Sequence, residues 1–220
     1  GSGGSVVEVE PNTGAMRVTA RPLDWGSLGF YRVGPVSGTM AAALAANSEI
    51  FQFRVVDGVS VAVMHKLSIS AGANVAATAA ALVAFRATIA RSWTVAGSGG
   101  TRLTMTTDNA KLRTSMGTSL INDIGISTTA ALTAGTKTLD ATDIGAIAAG
   151  IGTGALTTSV AFSILGNSNG VLFDASAEGY HPIVFAQNEG LVIRTGANAF
   201  PATLTWNFAV QASWAEVATY

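Results

Sequence analysis

The stretch EGYHPIVFAQNEGLVIRTGANAFPATLTWNFAVQASWAEV, Glu178–Val217, carries three apolar runs, at Ile183–Phe185, Leu191–Ile193 and Thr203–Trp214, punctuated by Gly190, Gly196 and Pro201. In the last run Leu204, Trp206, Phe208, Val210, Ala212 and Trp214 fall on one parity. Thr203, Thr205, Asn207, Ala209, Gln211 and Ser213 fall on the other. Successive side chains of a strand point to opposite faces, so a strict period of two puts the first set on one face. Three large aromatics on that face demand burial. The stretch predicts the closing strands of an antiparallel β-sandwich, with its final strand running through the core.

Working outward, the rest of the chain repeats strand, turn, strand. Phe30–Val33 reads as a short strand and Gly34–Gly38 as a turn. Residues 39–47, TMAAALAAN, predict a helix of two turns with Ser37 or Thr39 as its N-cap. In EIFQFRVV, Ile50, Gln52 and Arg54 alternate with Phe51, Phe53 and Val55, which is a strand, and Asp57-Gly58 predicts a hairpin into VSVAVMHKLSIS as its partner. Residues 72–81 read as a loop with at most one helical turn, followed by a long strand from Leu82 to Val95 on which Val83, Phe85, Ala87, Ile89, Arg91 and Trp93 share a face. A flexible turn at 96–100, a short edge piece at 101–107, a strand around Leu120–Ser127 and a turn at Gly135 follow. Residues 143–156 carry four glycines. Each costs about 1 kcal/mol in a helix relative to Ala, so a loop or short helix is expected there. TTSVAFSIL, the turn NSNG and VLFDAS complete the series. This order predicts an all-β, jelly-roll-like antiparallel sandwich.

Two regions follow: an extended N-terminal arm at 1–29 and the sandwich at 30–220. In the arm, VVEVE alternates briefly before Pro11, Asn12 and Gly14 break it, and MRVTARPL is a second extended piece. It reads either as a loosely docked terminus or as an arm lying on a neighbouring subunit. The start, GSGGSVVEVEP, lacks the basic-then-apolar order of a secretory signal, so none is expected. Gly1–Ser5 are read as a remnant of processing or cloning.

Composition narrows the function. The chain has 220 residues, 49% of them apolar and 11% charged, against about 25% charged in ordinary soluble domains. A surface left to Ala, Gly, Ser and Thr favours association, so much of it is expected to be covered in an assembly. A net charge of −1 without a basic run argues against a nucleic-acid partner. Cysteine is absent, which excludes disulfides and thiolate chemistry. No apolar run reaches the roughly 18 residues of a membrane-spanning helix, so no membrane partner is expected.

Candidate chemistry is sparse. Gly166-Asn167-Ser168-Asn169-Gly170 matches G-x-S-x-G, but a strand follows where a nucleophile elbow needs a helix, and a turn is the simpler reading. His65 lies inside a strand and His181 precedes Pro182, without metal-ligand spacing. Gly150, Gly152 and Gly154, and Gly97–Gly100, lack the lysine and the strand-to-helix context of a phosphate cradle. Asp140 and Asp143 fall short of the roughly 6–8 oxygen ligands of calcium, and a helix N-cap is their expected use. Trp93, Trp206 and Trp214 suit a sugar platform, but their periodicity favours the core. Trp25 alone lies off any periodic run. No catalytic, cofactor-binding or metal-binding residue is assigned, and no cofactor is expected.

Three blocks carry a resemblance. Gly179–Arg194, GYHPIVFAQNEGLVIR, followed by Thr205–Val217, TWNFAVQASWAEV, resembles the C-terminal end of a family of virion structural proteins of tailed bacteriophages. Arg113–Asp140 and Phe53–Ala71 resemble two further blocks of that family. The blocks are characteristic in order and spacing and extend over most of 30–217, but none is a catalytic motif. The resemblance implies a capsid decoration, or cement, protein with a sandwich fold. It would be a homo-oligomer, with a trimer favoured, bound to the major capsid protein on the capsid surface and present in the host cytoplasm during assembly. Other readings are a tail or fibre subunit, which would show fibrous repeats, and a carbohydrate-binding jelly roll, which would show exposed aromatics. An enzyme such as a depolymerase would need paired carboxylates.

Overall fold

The computed structural model describes residues 28–75, 77–105, 110–112, 115–153, 163–165, 170–179 and 181–218. Among them the chain forms strands and no helix: β1 (Gly29–Val33), β2 (Glu49–Arg54), β3 (Val61–Val75), β4 (Ala81–Val95), β5 (Thr101–Arg102), β6 (Asp123–Ile126), β7 (Thr136–Leu139), β8 (Gly145–Ile151), β9 (Ser163–Leu165), β10 (Val171–Asp174), β11 (Ile183–Phe185), β12 (Gly190–Thr195) and β13 (Thr205–Val217). Two antiparallel sheets pack face to face. The smaller runs β1-β13-β3-β10, with β11 also on β3; the larger runs β5-β6-β2-β12-β4-β8-β9, with β7 also on β4. The arm expected at 1–29 lies outside the described residues except for its last two positions.

The pairings nest. β4 pairs with β8, β3 with β10 and β11, β2 with β12, and β1 with β13. Each pair encloses the one before it in sequence, so the chain is one long hairpin bent between β4 and β8. Rolling that hairpin adds β13 against β3 and β12 against β4. The result is two sheets with the strand order of a jelly roll, as the strand-and-turn pattern predicts.

The predicted parity of the last strand holds. Leu204, Trp206, Phe208, Val210, Ala212 and Trp214 are all buried, while Thr205, Asn207, Ala209, Gln211 and Ser213 are partly or fully exposed. A tryptophan stands near each end of this buried row. Trp206 stacks on Phe200 at 4.4 Å and meets Phe85 of β4 at 5.7 Å. Trp214 lies edge-on to Phe53 of β2 at 5.1 Å and stacks on Tyr31 of β1 at 5.7 Å. One strand thus joins the two layers at both ends. Beyond Trp214, the buried Glu216 carboxylate accepts hydrogen bonds from Leu120 N at 2.8 Å, Trp214 Nε1 at 3.0 Å and Ser119 Oγ. Neutral donors hold this charge, and they fasten the 119–121 segment over the end of the sandwich.

Five local expectations are corrected. Residues 39–47 are not helical. Met40 and Leu44 are drawn into the core, Met40 N donates to Trp206 O at 2.7 Å, and Ala43 and Asn47 adopt left-handed φ of 55° and 58°. A helix of two turns cannot outweigh these tertiary bonds. Ser37, proposed as a cap, instead accepts from Phe208 N at 2.9 Å. Asp57-Gly58 is not a hairpin turn, because β2 and β3 lie in different sheets. Asp57 Oδ2 accepts from Val59 N at 3.0 Å and Ser60 N at 2.8 Å, which makes an arch. The loop expected at 72–81 is shorter, because β3 continues to Val75 opposite Thr205. The glycine-rich 143–156 segment contains β8, paired with β4 from Ala81 to Ala87. Its glycines suit close approach there: a Cβ on Gly145 would lie 1.8 Å from Leu172 O. Finally, Trp93 leaves the face of Val83 and Phe85. Ser92 has φ 50° and the register with β7 slips between Arg91 and Val95, so Trp93 joins Ala90 and Val192 on the opposite face. An inserted residue in a bulge flips the parity after it.

Trp206→Ala or Trp214→Ala is expected to cost about 3–5 kcal/mol, as for large buried aromatics, read as a lower denaturant midpoint. Burial, with help from the Glu216 carboxylate, pushes Tyr31 up to about 12 from 10.0. The folded state therefore holds this proton where the unfolded chain has released it, and stability falls as pH rises from 10 towards 12. Phenolate absorbance should show a late-titrating tyrosine that Tyr31→Phe removes.

Candidate functional site

The larger sheet has one face in the core and one face turned outward, and the outward face is polar. Gln52 and Arg54 of β2 sit on the parity opposite Phe53, and Thr88 and Arg86 of β4 on the parity opposite Phe85 and Ala87. In most antiparallel sandwiches such a face meets water. Here residues 131–139 cross it. Leu132 bridges Glu49 of β2, Thr133 O receives Gln52 Nε2 at 2.8 Å, and Thr136–Leu139 pair with β4. Gln52 and Thr88 are consequently fully buried and Glu49 nearly so.

Under this strap the polar groups form a continuous chain. Lys137 Nζ donates to Glu49 Oε2 at 2.9 Å and to Ala134 O, and lies 4.3 Å from the Trp93 ring centre. Gln52 Nε2 donates to the same Glu49 Oε2 at 2.6 Å. Gln52 Oε1 accepts from Arg102 Nη2 at 3.0 Å. Arg102 pairs with Asp123 at 3.1 Å, and Asp123 with Arg54 at 3.4 Å. Burial holds the Lys137 ammonium below the usual lysine range, against the opposing pull of Glu49. A second knot centres on Asp143, which accepts from Thr88 Oγ1 at 2.5 Å, Arg86 Nη1 at 3.1 Å and Arg194 Nη2 at 3.2 Å. Further out, Arg91 holds both Asp140, at 3.1 Å, and Glu189, at 2.7 Å.

The structure places the sequence candidates as follows. Asp140 and Asp143 are spent on arginines rather than held for a cation. His65 sits on the outward face of β3 with its ring 4.9 Å from Phe30, and His181 lies in an exposed turn. No group of three metal-ligating side chains occurs among the described residues. Gly97–Gly100 form a turn and Gly150–Gly152 end β8. Gly166, Ser168, Gly154 and Trp25 lie outside the described residues. Trp206 and Trp214 are in the main core, and Trp93 is buried under the strap. A shallow, open cleft of about 470 Å³ lies between Arg32–Pro35 and Thr101–Met105. Among the described residues its lining holds no acid or histidine, and Arg32 there donates to Gln211 Oε1 at 2.6 Å.

The Lys137–Glu49–Gln52 cluster escapes a reading by sequence alone. The one available signal is the Gln and Arg alternating with Phe in EIFQFR, and that pattern ordinarily marks a solvated face. No family model, no curated protein and no solved structure gives a significant match to the chain.

Asp143→Ala leaves two guanidinium groups converging on an empty position. A loss of about 1–3 kcal/mol is expected, as for buried donors stripped of their acceptor, measured by denaturant unfolding.

Proposed function

We propose that this chain is a non-enzymatic structural protein of a tailed-phage virion: a decoration protein that binds the outside of the capsid shell as a homotrimer and stabilises it. The observation that carries this reading is the internal use of its few charges. Lys66 pairs with Asp174, Arg91 with Asp140 and Glu189, Arg86 and Arg194 with Asp143, Arg54 and Arg102 with Asp123, and Lys137 with Glu49. Among the described residues several apolar side chains are left exposed, with Val36 at 65% and Val59 at 75%. Such a surface is poorly suited to steering a charged substrate and well suited to being covered by neighbours. The resemblance of the three blocks supports the virion assignment, and the jelly-roll order suits it, since viral capsid domains are among the hosts of that architecture.

Contacts of this kind depend on apolar area and backbone hydrogen bonds. Exposed ion pairs contribute only about 0–1 kcal/mol each and are screened by salt. Decorated particles washed from low salt to about 1 M NaCl, where the Debye length is about 3 Å, should therefore keep the protein. Steep release with salt would contradict the reading. Light scattering should give a trimer at micromolar concentration, whereas a monomer would count against it. Labelled density in the intact virion is the decisive test. Density on the outer shell supports a decoration protein; density confined to the tail, or none, overturns it.

A further inference from the structure

We propose that Lys137 and Gln52 form an intramolecular isopeptide bond, with Glu49 as the proton-transfer group and Arg102 as the stabiliser of the oxyanion. The inference is independent of the virion reading. It rests on four placements. The Lys137 amine and the Gln52 amide nitrogen both donate to one oxygen, Glu49 Oε2, at 2.9 Å and 2.6 Å, so nucleophile and leaving group are held side by side. The carbonyl oxygen of the same amide accepts from the Arg102 guanidinium at 3.0 Å, where negative charge would develop during attack. The site is dry: the Lys137 and Glu49 side chains are 2% and 7% exposed and Gln52 is fully buried. It is also sealed. A Cβ on Gly97 would lie 2.5 Å from Gln52 Oε1 and 2.6 Å from Nε2, so the 97–98 turn closes directly over the amide.

These are the elements of acyl transfer from an amide to an amine. A lysine becomes a nucleophile when burial disfavours its ammonium, and burial is the leading cause of the lowered Lys137 range, with the Arg102 and Arg194 charges acting the same way. Glu49 takes one proton from Nζ. The freed lone pair forms a bond to Cδ of Gln52, and the carbonyl π pair moves onto Oε1 beside Arg102. Glu49 delivers its proton to Nε2 and accepts the second proton from Nζ. The carbonyl re-forms as the Cδ–Nε2 bond breaks. Ammonia departs, takes the proton remaining on Glu49 and leaves as ammonium. The carboxylate is restored, and no oxidant, reductant or cofactor is consumed. The bond would tie the strap to β2 and lock the cover of the polar face covalently.

The test is the intact mass of the purified full chain after folded incubation at neutral pH, read under denaturing conditions, followed by proteolytic mapping. A mass about 17 Da below that of the sequence, the loss of one ammonia, with the Gln52 and Lys137 peptides joined, is the expected result. An unshifted mass overturns the proposal. So does a loss of the same size that maps to an asparagine rather than to this pair. Glu49→Gln keeps the hydrogen-bonding shape and removes the base, so it should abolish the linked peptide. A folded Glu49→Gln chain that still cross-links overturns the role given to Glu49. Should that variant fail to fold, the wild-type mass and map decide alone.

Discussion

The antiparallel pairing of β3 with β13 is the constraint on which the remaining structure depends. It runs from Thr205 opposite Val75 to Val217 opposite Val61 and forms the spine of the smaller sheet. These strands begin far apart in the chain, so the pairing fixes the whole rolled hairpin at once. Its stability comes less from the ladder itself than from what the ladder presents. With the backbone groups paired, β13 turns Trp206, Phe208, Val210, Ala212 and Trp214 onto one buried face. That face is met by Phe85 from β4 and Phe53 from β2, which belong to the other sheet. Area removed from water there is the dominant favourable term. Ser37 N and Met40 N then donate to Phe208 O and Trp206 O of β13, and Leu120 N donates to the Glu216 carboxylate.

The larger sheet meets a different demand. One face completes the core, but the other carries Gln, Arg, Thr and Glu and is nevertheless covered. Burying polar groups is costly unless each finds a partner. The chain meets this with an alternating series of cation, carboxylate and amide under the 131–139 strap and with the Asp143 knot. The consequence reaches the surface. Among the described residues many of the few charges pair with one another, and scattered Val and Leu side chains are left exposed. The proposed decoration role and the proposed cross-link both draw on this one allocation of charge, the first through what is left outside and the second through what is enclosed.

Much of the fold is legible in the sequence because period-two patterning is a local property. The parity of Leu204–Trp214, the strands at Phe30, Glu49 and Leu82, and the turns at 96–100 and Gly135 all depend on neighbours in the chain. The misreadings share a cause. The 39–47 helix, the Asp57-Gly58 hairpin, the β8 loop and the face of Trp93 are each decided by partners distant in sequence. Local propensity favours a helix in TMAAALAAN until Trp206 offers its backbone to Met40. Asp-Gly fits a hairpin equally well as an arch, and only the sheet assignment separates them. Ser92 supplies no sequence warning of the bulge that turns Trp93 over. The Glu49–Gln52–Lys137 cluster was invisible for the same reason, since Lys137 lies far along the chain from both partners and comes from a segment that reads as a turn.

Native-state hydrogen exchange tests the central role of β13 most directly. If β3 and β13 hold the roll together, their amides should exchange only through global unfolding, with an opening free energy equal to that from denaturant. The short edge strand β5 should open at lower cost. Exchange of the β13 amides by local opening, faster than those of β2 and β12, would contradict the account.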